Sequence, residues 1–431
     1  MIKLAFFVIF SKPIDFRMVL VGNPGIGGAE FCFALLIMKM NELFSSEIEI
    51  TVFSNYKHEI PDNIRQEQVD SLSLTLDKVD GNFSFLIMKT LLVPDDYNLL
   101  SKYSNLNVIC WSHNYFNARI AKLIAKSKQI VANVFVGKQM YDFYYDNDVI
   151  GKSTYIYNPV PKKEMLNRED YVPYSLTYMG AIIEDKGIMD LLKVWKIVEK
   201  KYPDAILNII GNISLYSLGS VRLGAFGITE ECLERKMLPY IIDKETNQIK
   251  DTIRFLGILS DEKYDVFMKS AVGIVNPSAK TETFGMGIIE MASVGLPVVT
   301  RAWNGHLDTV IDGETGLLSL TTKGIAKNII KLFSDRELNL EIGRKAKERV
   351  DVYNLEKIAL EWFTLINKIK SGDKLFKLLP LSKPYWNNYK FLRYVFFLLR
   401  FKCNCRFFPS VVTIETIGND IFKCIKRHMR H

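Results

Sequence analysis

The chain has 431 residues, 48% of them hydrophobic and 24% charged, which is enough apolar material for two or three domain cores. The net charge is +8. Residues 373–431 hold twelve basic and three acidic side chains, 12 − 3 = +9, which leaves 8 − 9 = −1 for the rest. A nearly neutral body with one basic, aromatic tail argues against general nucleic-acid binding and suits an acidic membrane surface.

Cysteine usage and hydropathy indicate the cellular compartment in which the protein is expected. The six cysteines are scattered with a spacing that fits neither a disulfide framework nor a zinc site, which predicts reduced thiols in the cytoplasm. Residues 4–10 are apolar but lack a small-residue cleavage site, so we expect a core strand rather than a signal peptide. No run reaches the roughly 18 apolar residues that a membrane span needs.

The N-terminal half alternates strand and helix patterns. Apolar runs predict strands at residues 3–10, 47–53, 83–88, 107–111 and 130–136. Residues 16–21 extend or replace the first strand, and the pattern leaves this choice open.

A glycine loop, Gly22-Asn-Pro-Gly-Ile-Gly-Gly-Ala-Glu30, precedes a predicted helix at residues 31–44. A strand, a glycine loop and a helix in this order can bring a phosphate to a helix N-terminus. Gly27 and Gly28 fit neither the Rossmann fingerprint nor the P-loop spacing, and a purely structural turn is the alternative interpretation.

His113 follows the predicted strand at 107–111. Parallel α/β sheets place their sites at the carboxyl ends of the strands, so His113 is a candidate site residue. A hydrogen-bonded histidine that only supports the site is the alternative.

A second series of strands and helices begins after a polar, proline-flanked linker at residues 162–174. Apolar runs predict strands at 175–180, 205–211 and 253–257, and the irregular region 214–247 contains a predicted helix at 229–240. Asp185-Lys186-Gly187 stands in front of a helix at 188–200. By itself, this pattern is explained equally well if Lys186 is a solvated side chain at the start of a helix or if it binds a phosphate.

The most informative stretch follows a buried strand end at residues 272–275, which Asn276-Pro277 terminates. We expect a helix over residues 284–294 with Thr283 as its N-cap and Gly295 just past its end. Glu282 then lies on the loop at the helix N-terminus, and Glu290 lies about two turns in.

Gly285 and Gly287 leave the first-turn amides of this helix uncovered, and bare amides at a helix N-terminus favour an anion, phosphate above all. The carboxylates of Glu282 and Glu290 flank that position and can accept hydrogen bonds from hydroxyl groups. An anion between two hydroxyl-rich groups describes a nucleotide sugar.

These motifs resemble the signature of retaining GT-B glycosyltransferases, and most closely that of glycosyltransferase family 4. Glu282 and Glu290, with seven residues between them, are similar to the family's E-x7-E motif. A Phe-Gly pair, the Gly295-Leu-Pro-Val turn and Asp312-Gly-Glu-Thr-Gly-Leu follow in the expected order, and the resemblance covers residues 1 to about 370. An ordinary βαβ crossover with two solvated glutamates is the alternative.

The resemblance implies the GT-B architecture, in which two doubly wound, Rossmann-like α/β domains face a cleft, here with a basic C-terminal extension. The expected segments are an acceptor-side domain, a nucleotide-sugar-binding domain, a helix that crosses back to the N-terminal domain and the tail, at residues 1–162, 163–350, 351–372 and 373–431. The implied reaction moves a hexose from a nucleotide-sugar donor to a glycan or polyprenyl-lipid-linked acceptor, with retention and with neither cofactor nor metal. A GT-B sugar-nucleotide epimerase and a non-catalytic GT-B binding subunit are the alternatives.

The resemblance also implies roles for individual residues. Glu290 would hold the ribose hydroxyls, Glu282 the donor sugar, and His113 would lie near the donor sugar and the acceptor. The donor diphosphate would be bound by Lys186 and by the amides of Phe284, Gly285, Met286 and Gly287, and covered by Gly27 and Gly28. Ala181 departs from the pattern, because many members carry an arginine there, and Arg301 or Lys280 would have to substitute for it.

The tail interleaves aromatic and basic side chains at residues 385–402 on a predicted helix, which is the composition of an interfacial membrane helix. We therefore expect a peripheral enzyme on the cytoplasmic face of an anionic membrane. A helix packed on the body, or an oligomer contact, is the alternative.

Overall fold

The computed structural model describes residues 1–161, 168, 170–211, 222–373 and 377–428. The chain divides into two compact units. Unit 1 comprises Met1–Asp15, Leu36–Tyr157 and Ile358–His431, and unit 2 comprises Phe16–Leu35 and Asn158–Lys357. Parts of the predicted linker at 162–174 and of the predicted irregular region at 214–247 lie outside the described residues.

Unit 1 contains a parallel sheet of seven strands in the order β3-β2-β1-β4-β5-β6-β7. The strands are β1 Ile2–Val8, β2 Ile48–Ser54, β3 Arg65–Gln68, β4 Phe85–Lys89, β5 Val108–Ser112, β6 Ile130–Phe135 and β7 Ser153–Tyr155. The connecting helices are α1 Gly28–Phe44, α2 Leu72–Val79, α3 Pro94–Leu100, α4 Ala118–Lys126 and α5 Lys138–Phe143. The central strands are apolar runs because parallel strands between helical layers are buried on both faces.

Unit 2 contains a parallel sheet of six strands in the order β10-β9-β8-β11-β12-β13. The strands are β8 Ser175–Met179, β9 Ile206–Ile210, β10 Ile253–Gly257, β11 Val272–Ile274, β12 Val298–Arg301 and β13 Gly316–Ser319. The helices are α6 Ile188–Lys201, α7 Glu231–Ile241, α8 Glu262–Met268, α9 Met286–Ser293, α10 His306–Thr309, α11 Thr322–Ser334 and α12 Arg336–Arg349. In both sheets the strand order reverses direction next to the first strand of the unit, which is the doubly wound α/β pattern that was predicted.

Three helices end the chain: α13 Leu355–Ser371, α14 Lys390–Phe397 and α15 Val411–His428. Short helical turns occur at Phe16–Leu20, Asp148–Lys152, Glu184–Lys186, Val350–Tyr353 and Asn387–Tyr389, and a π-helical turn at Leu398–Lys402. In the described part of the chain, no helix combines the length and the apolar character needed to cross a membrane.

Two local predictions were wrong. In the region 16–21, Phe16–Leu20 forms a 3₁₀ turn instead of a strand, and the fully buried Phe16 and Val19 are three positions apart, which is the repeat of that helix. The tail helix predicted over 385–402 is broken, because Asn388 and Tyr389 have positive φ values of 51° and 54° before α14 begins.

Candidate active site

The loop after β11 is shaped by the side chain of Asn276. Its Oδ1 accepts from the Ala279 amide at 3.1 Å and from the Ser278 hydroxyl at 2.9 Å. Its Nδ2 donates to Oε2 of Glu282 at 3.1 Å. The residue predicted to end the strand therefore also orients the carboxylate six positions later.

Glu282 is held as a carboxylate. Its side chain is 13% exposed and Oε2 accepts from the Lys186 ammonium at 3.2 Å. Burial alone would raise the pKa of Glu282, but the charge of Lys186, the nearby His306 and the Asn276 hydrogen bond outweigh burial and lower the pKa to about 2.

Lys186 reaches Glu282 because two loops approach closely. Gly187 has a φ of +76°, and a Cβ on it would lie 2.6 Å from the Ser278 amide nitrogen, so only glycine fits this contact. The Ser278 Oγ also lies 3.0 Å from the Asp185 carbonyl oxygen. The sequence Asp185-Lys186-Gly187 thus provides both the cation and the close approach that places it.

Helix α9 begins at Met286, with Gly285 as its N-cap at a φ of 101°. The prediction of Thr283 as the N-cap was wrong, because a glycine in the left-handed region turns the chain into the helix with no side-chain cap. The first-turn amides, including those of Met286 and Gly287, have no acceptor within the helix. Phe284 is 1% exposed as a whole residue, its ring packs edge-on against Tyr353 at 5.5 Å, and its amide nitrogen lies close to Gly305.

Glu290 lies inside α9 and forms a buried ion pair with Lys263 of α8. The Lys263 Nζ and Glu290 Oε1 are 2.8 Å apart, and the two side chains are 6% and 10% exposed. Sequence reasoning missed Lys263, which looks like any lysine in the first turn of a helix. The pKa of the Cys32 thiol is raised by burial and, to a smaller extent, by the Glu290 carboxylate.

His306 was also missed, although it is adjacent to the glycine that fixes the site loop. The Gly305 amide donates to the Glu282 carbonyl at 3.1 Å, and a Cβ on Gly305 would lie 2.3 Å from the Phe284 nitrogen. The His306 ring is fully buried, and its Nδ1–H donates to the Arg301 carbonyl at 3.0 Å. Burial lowers the pKa of His306 despite the nearby Glu282 charge, so the ring is neutral at pH 7.

The Arg301 side chain forms hydrogen bonds within the fold, so it does not replace the arginine that is missing at Ala181. Its guanidinium donates to the Pro277 and Leu320 carbonyls, each at 2.8 Å. Ala181 is 3% exposed. Lys280 is exposed, and in the described part of the chain it has no ion pair.

The glycine loop before α1 is held by Asn23. Its Oδ1 accepts from the amides of Gly25 and Ile26 at 3.0 and 2.9 Å. Gly28 is the first residue of α1, and a Cβ there would meet no atom within 4 Å. The surface at Gly28 is therefore open.

His113 belongs to unit 1 and directly follows β5. It is 8% exposed, and its ring centroid lies 4.7 Å from that of Trp111. Burial, with the charge of Lys89, lowers the pKa of His113 to about 3, so the ring is neutral at physiological pH. Unit 2 holds all the other predicted site residues: Gly27, Gly28, Lys186, Glu282, Phe284, Gly285, Met286, Gly287 and Glu290.

Comparisons with known proteins bear on this arrangement. Residues 167–349, which include Lys186, Glu282 and Glu290, match the family described as glycosyl transferases group 1. The crystal structure of HepE from Anabaena with UDP-glucose superposes with a TM-score of 0.59 at 14% identity, over 86% of this chain and 100% of that one. The chain is a GT-B glycosyltransferase.

Two relatives in sequence agree with this assignment. An uncharacterized glycosyltransferase of Haemophilus influenzae is 28% identical over 298 residues, 64% of this chain and 76% of the relative. The capsular polysaccharide biosynthesis glycosyltransferase CapM of Staphylococcus aureus is 25% identical over 261 residues, 58% of each chain. The predictions of the GT-B fold and of a hexosyltransferase-type enzyme are confirmed.

Proposed function

We propose that this GT-B glycosyltransferase moves a hexosyl group from a nucleotide-sugar donor to a glycan or lipid-linked acceptor in cell-surface polysaccharide synthesis, with retention of configuration. The observation that carries the proposal is the Lys186–Glu282 ion pair at the N-terminus of α9, with the buried Glu290 on the same helix. The similarity to CapM supports a polysaccharide product, and the UDP-glucose bound to HepE supports a nucleotide-sugar donor.

In this proposal, the charge that develops on the leaving diphosphate is offset by Lys186 and the first-turn amides of α9. Glu282 accepts a hydrogen bond from a donor-sugar hydroxyl, and Glu290 accepts from the ribose. Gly27 and Gly28 cover the diphosphate, and neutral His113 contributes near the donor sugar and the acceptor. The lysine and the helix N-terminus take the place of a metal ion, so the proposed reaction needs neither metal nor cofactor.

The cellular setting of the proposal is the inner face of a membrane, where a polyprenyl-linked acceptor would be available. The net charge of +9 on residues 373–431 supports an anionic surface as the partner. Buried Ala181 stands where the resemblance places a cation for the diphosphate, so the proposal assigns that charge to Lys186.

The test uses the full chain with a panel of nucleotide sugars and no acceptor, measuring slow donor hydrolysis and, by calorimetry, nucleotide affinity. Glu290→Ala should weaken the binding of both the nucleotide sugar and the free nucleoside diphosphate by about 1.5–3 kcal/mol, which is the size of a lost hydrogen bond to a charged group. Glu282→Gln should leave the affinity for the free nucleotide unchanged and should lower the turnover rate. Hydrolysis by the wild type should survive a chelator.

The matched control is Glu314→Gln, which changes an exposed carboxylate of unit 2 outside the site and should match the wild type in both measurements. Unchanged nucleotide affinity in Glu290→Ala would refute its role. Tight nucleotide-sugar binding without hydrolysis of any donor, with or without added metal, would contradict the proposed roles of Lys186 and Glu282.

A further inference from the structure

Unit 1 has a cavity of about 540 Å³ between α4 and the C-terminal segment around residues 400–420, which we name the α4–α15 pocket. This volume is in the range of small-molecule sites. The pocket is built only from residues of unit 1, so it is separate from the donor-site residues of unit 2.

The walls of the α4–α15 pocket are fixed by hydrogen bonds and ion pairs. The Ala118 amide donates to the Thr416 hydroxyl at 3.0 Å, and Arg119 pairs with Asp420 at 2.7 Å. At the start of α15, the Val411 amide donates to the buried Asp146 carboxylate at 2.6 Å. Helix α15 is therefore held against the rest of unit 1.

The charge of the pocket lining is strongly positive. Its cations are Arg119, Lys122, Lys126, Arg400 and Arg406, and its acids are Asp148 and Asp420, which gives 5 − 2 = +3. Asp148 is shared by Arg400 and Arg406, each at 2.8 Å. In the described part of the chain, Lys122 and Lys126 have no acidic partner, and both lie on the face of α4 opposite its buried Ile120 and Ile124.

An apolar surface borders this basic pocket. Phe407 lines the pocket and is 83% exposed. Along α15, Ile417, Ile421 and Ile425 recur every four residues and are 54%, 55% and 51% exposed, so they form one apolar stripe. Exposed apolar side chains around a cluster of cations are typical of surfaces that enter the headgroup region of an anionic membrane.

We propose that the α4–α15 pocket binds the phosphate headgroup of an anionic membrane phospholipid, with Phe407 and the α15 stripe inserted beside it. This inference rests on the proposed membrane location but changes the residues responsible for it. Within the aromatic–basic stretch 385–402, Lys390 and Arg393 are fully buried in ion pairs with unit 1 carboxylates, so they cannot face lipid. The two free lysines of α4, outside the tail, supply the charge instead.

The test is flotation of the full chain with vesicles of phosphatidylcholine alone or with added phosphatidylglycerol. The double variant Lys122→Glu/Lys126→Glu should bind the anionic vesicles at least about tenfold more weakly, because each basic residue contributes measurably near an anionic surface. The control Lys57→Glu/Lys102→Glu makes the same charge change at exposed lysines of unit 1 away from the pocket and should bind within about twofold of the wild type.

Phe407→Ser should also weaken vesicle binding, whereas Phe391→Ser, at a 71%-exposed position on α14, should not. Equal binding by both double variants, or a loss only in Phe391→Ser, would overturn the proposal. Binding of inorganic phosphate by the wild type, together with unchanged vesicle binding in Lys122→Glu/Lys126→Glu, would assign the pocket to free phosphate and refute the lipid headgroup. Donor hydrolysis in the same variants should be unchanged, so a failure here is distinguishable from a failure of the glycosyltransferase proposal.

Discussion

The pKa of Glu282 is set by side chains from three other segments of unit 2. Lys186 comes from the turn before α6, Asn276 from the end of β11, and His306 from α10. Their combined effect is a pKa of about 2 instead of the ordinary 4.5. A carboxylate that stays ionised over the whole physiological range can only accept hydrogen bonds, which suits contact with sugar hydroxyls and excludes it as a general acid.

This pKa shift predicts a pH-dependent stability. Because the folded pKa lies below the unfolded one, Glu282 stabilises the fold above about pH 4.5, and this contribution is lost as the pH falls towards 2. A shift of 4.5 − 2 = 2.5 corresponds to about 3 kcal/mol. Denaturant unfolding of the wild type and Glu282→Gln should show a difference near pH 6 that shrinks between pH 4.5 and 2.5. Glu314→Gln should show no such change, and a pH-independent difference for Glu282→Gln would contradict the assigned pKa.

At the scale of elements, the site depends on contacts between backbones. The Glu282 loop is packed against Gly187 on one side and against Gly305 on the other, and both contacts are too close for a side chain. Since backbone atoms are the neighbours, no rotamer change can relieve a clash there.

Gly305→Ala is therefore expected to lower stability by about 1–3 kcal/mol and to reduce donor hydrolysis by displacing Glu282. The control is Gly151→Ala, since a Cβ at that position meets no atom within 4 Å and its φ is not positive. Thermal unfolding and the hydrolysis assay check both variants. Wild-type activity in a destabilised Gly305→Ala protein would mean that the loop adapts and that this contact does not position Glu282.

The sequence predicted the strands of both sheets well where they are apolar runs, because a strand buried on both faces needs such a run. It missed β3, Arg65–Gln68, which contains only polar and charged residues at the sheet edge. In the site, Lys186, Glu282 and Glu290 were identified from motif spacing. Lys263 and His306 were not, because their roles arise from tertiary packing of α8 and α10, which no local pattern encodes.

At the scale of the whole molecule, the C-terminal segment is part of unit 1 and not an appended tail. Lys390 and Arg393 are fully buried, and their partners Asp142 and Asp146 are fully buried as well. Internal packing therefore explains Lys390 and Arg393 in the stretch 385–402, whereas Tyr389 and Phe391 are 59% and 71% exposed. A chain cut after Ser371 would leave the buried Asp146 without Arg393 and Asp142 with Lys138 alone, so such a truncation cannot isolate membrane binding from folding.

A single side chain, that of Arg393, can test whether the C-terminal segment is part of unit 1. Arg393 donates to the Asn388 carbonyl at 2.6 Å and to Glu415 at 2.8 Å, lies over the Phe143 ring at 4.2 Å and faces Asp146. Arg393→Met should cost about 3–5 kcal/mol, because it leaves a buried carboxylate uncompensated. Lys423→Met, at an exposed position of α15, should change stability by less than about 0.5 kcal/mol. If denaturant unfolding gave equal stabilities for the two variants, the C-terminal segment would be separable from unit 1, and truncation after Ser371 would be a valid probe of membrane binding.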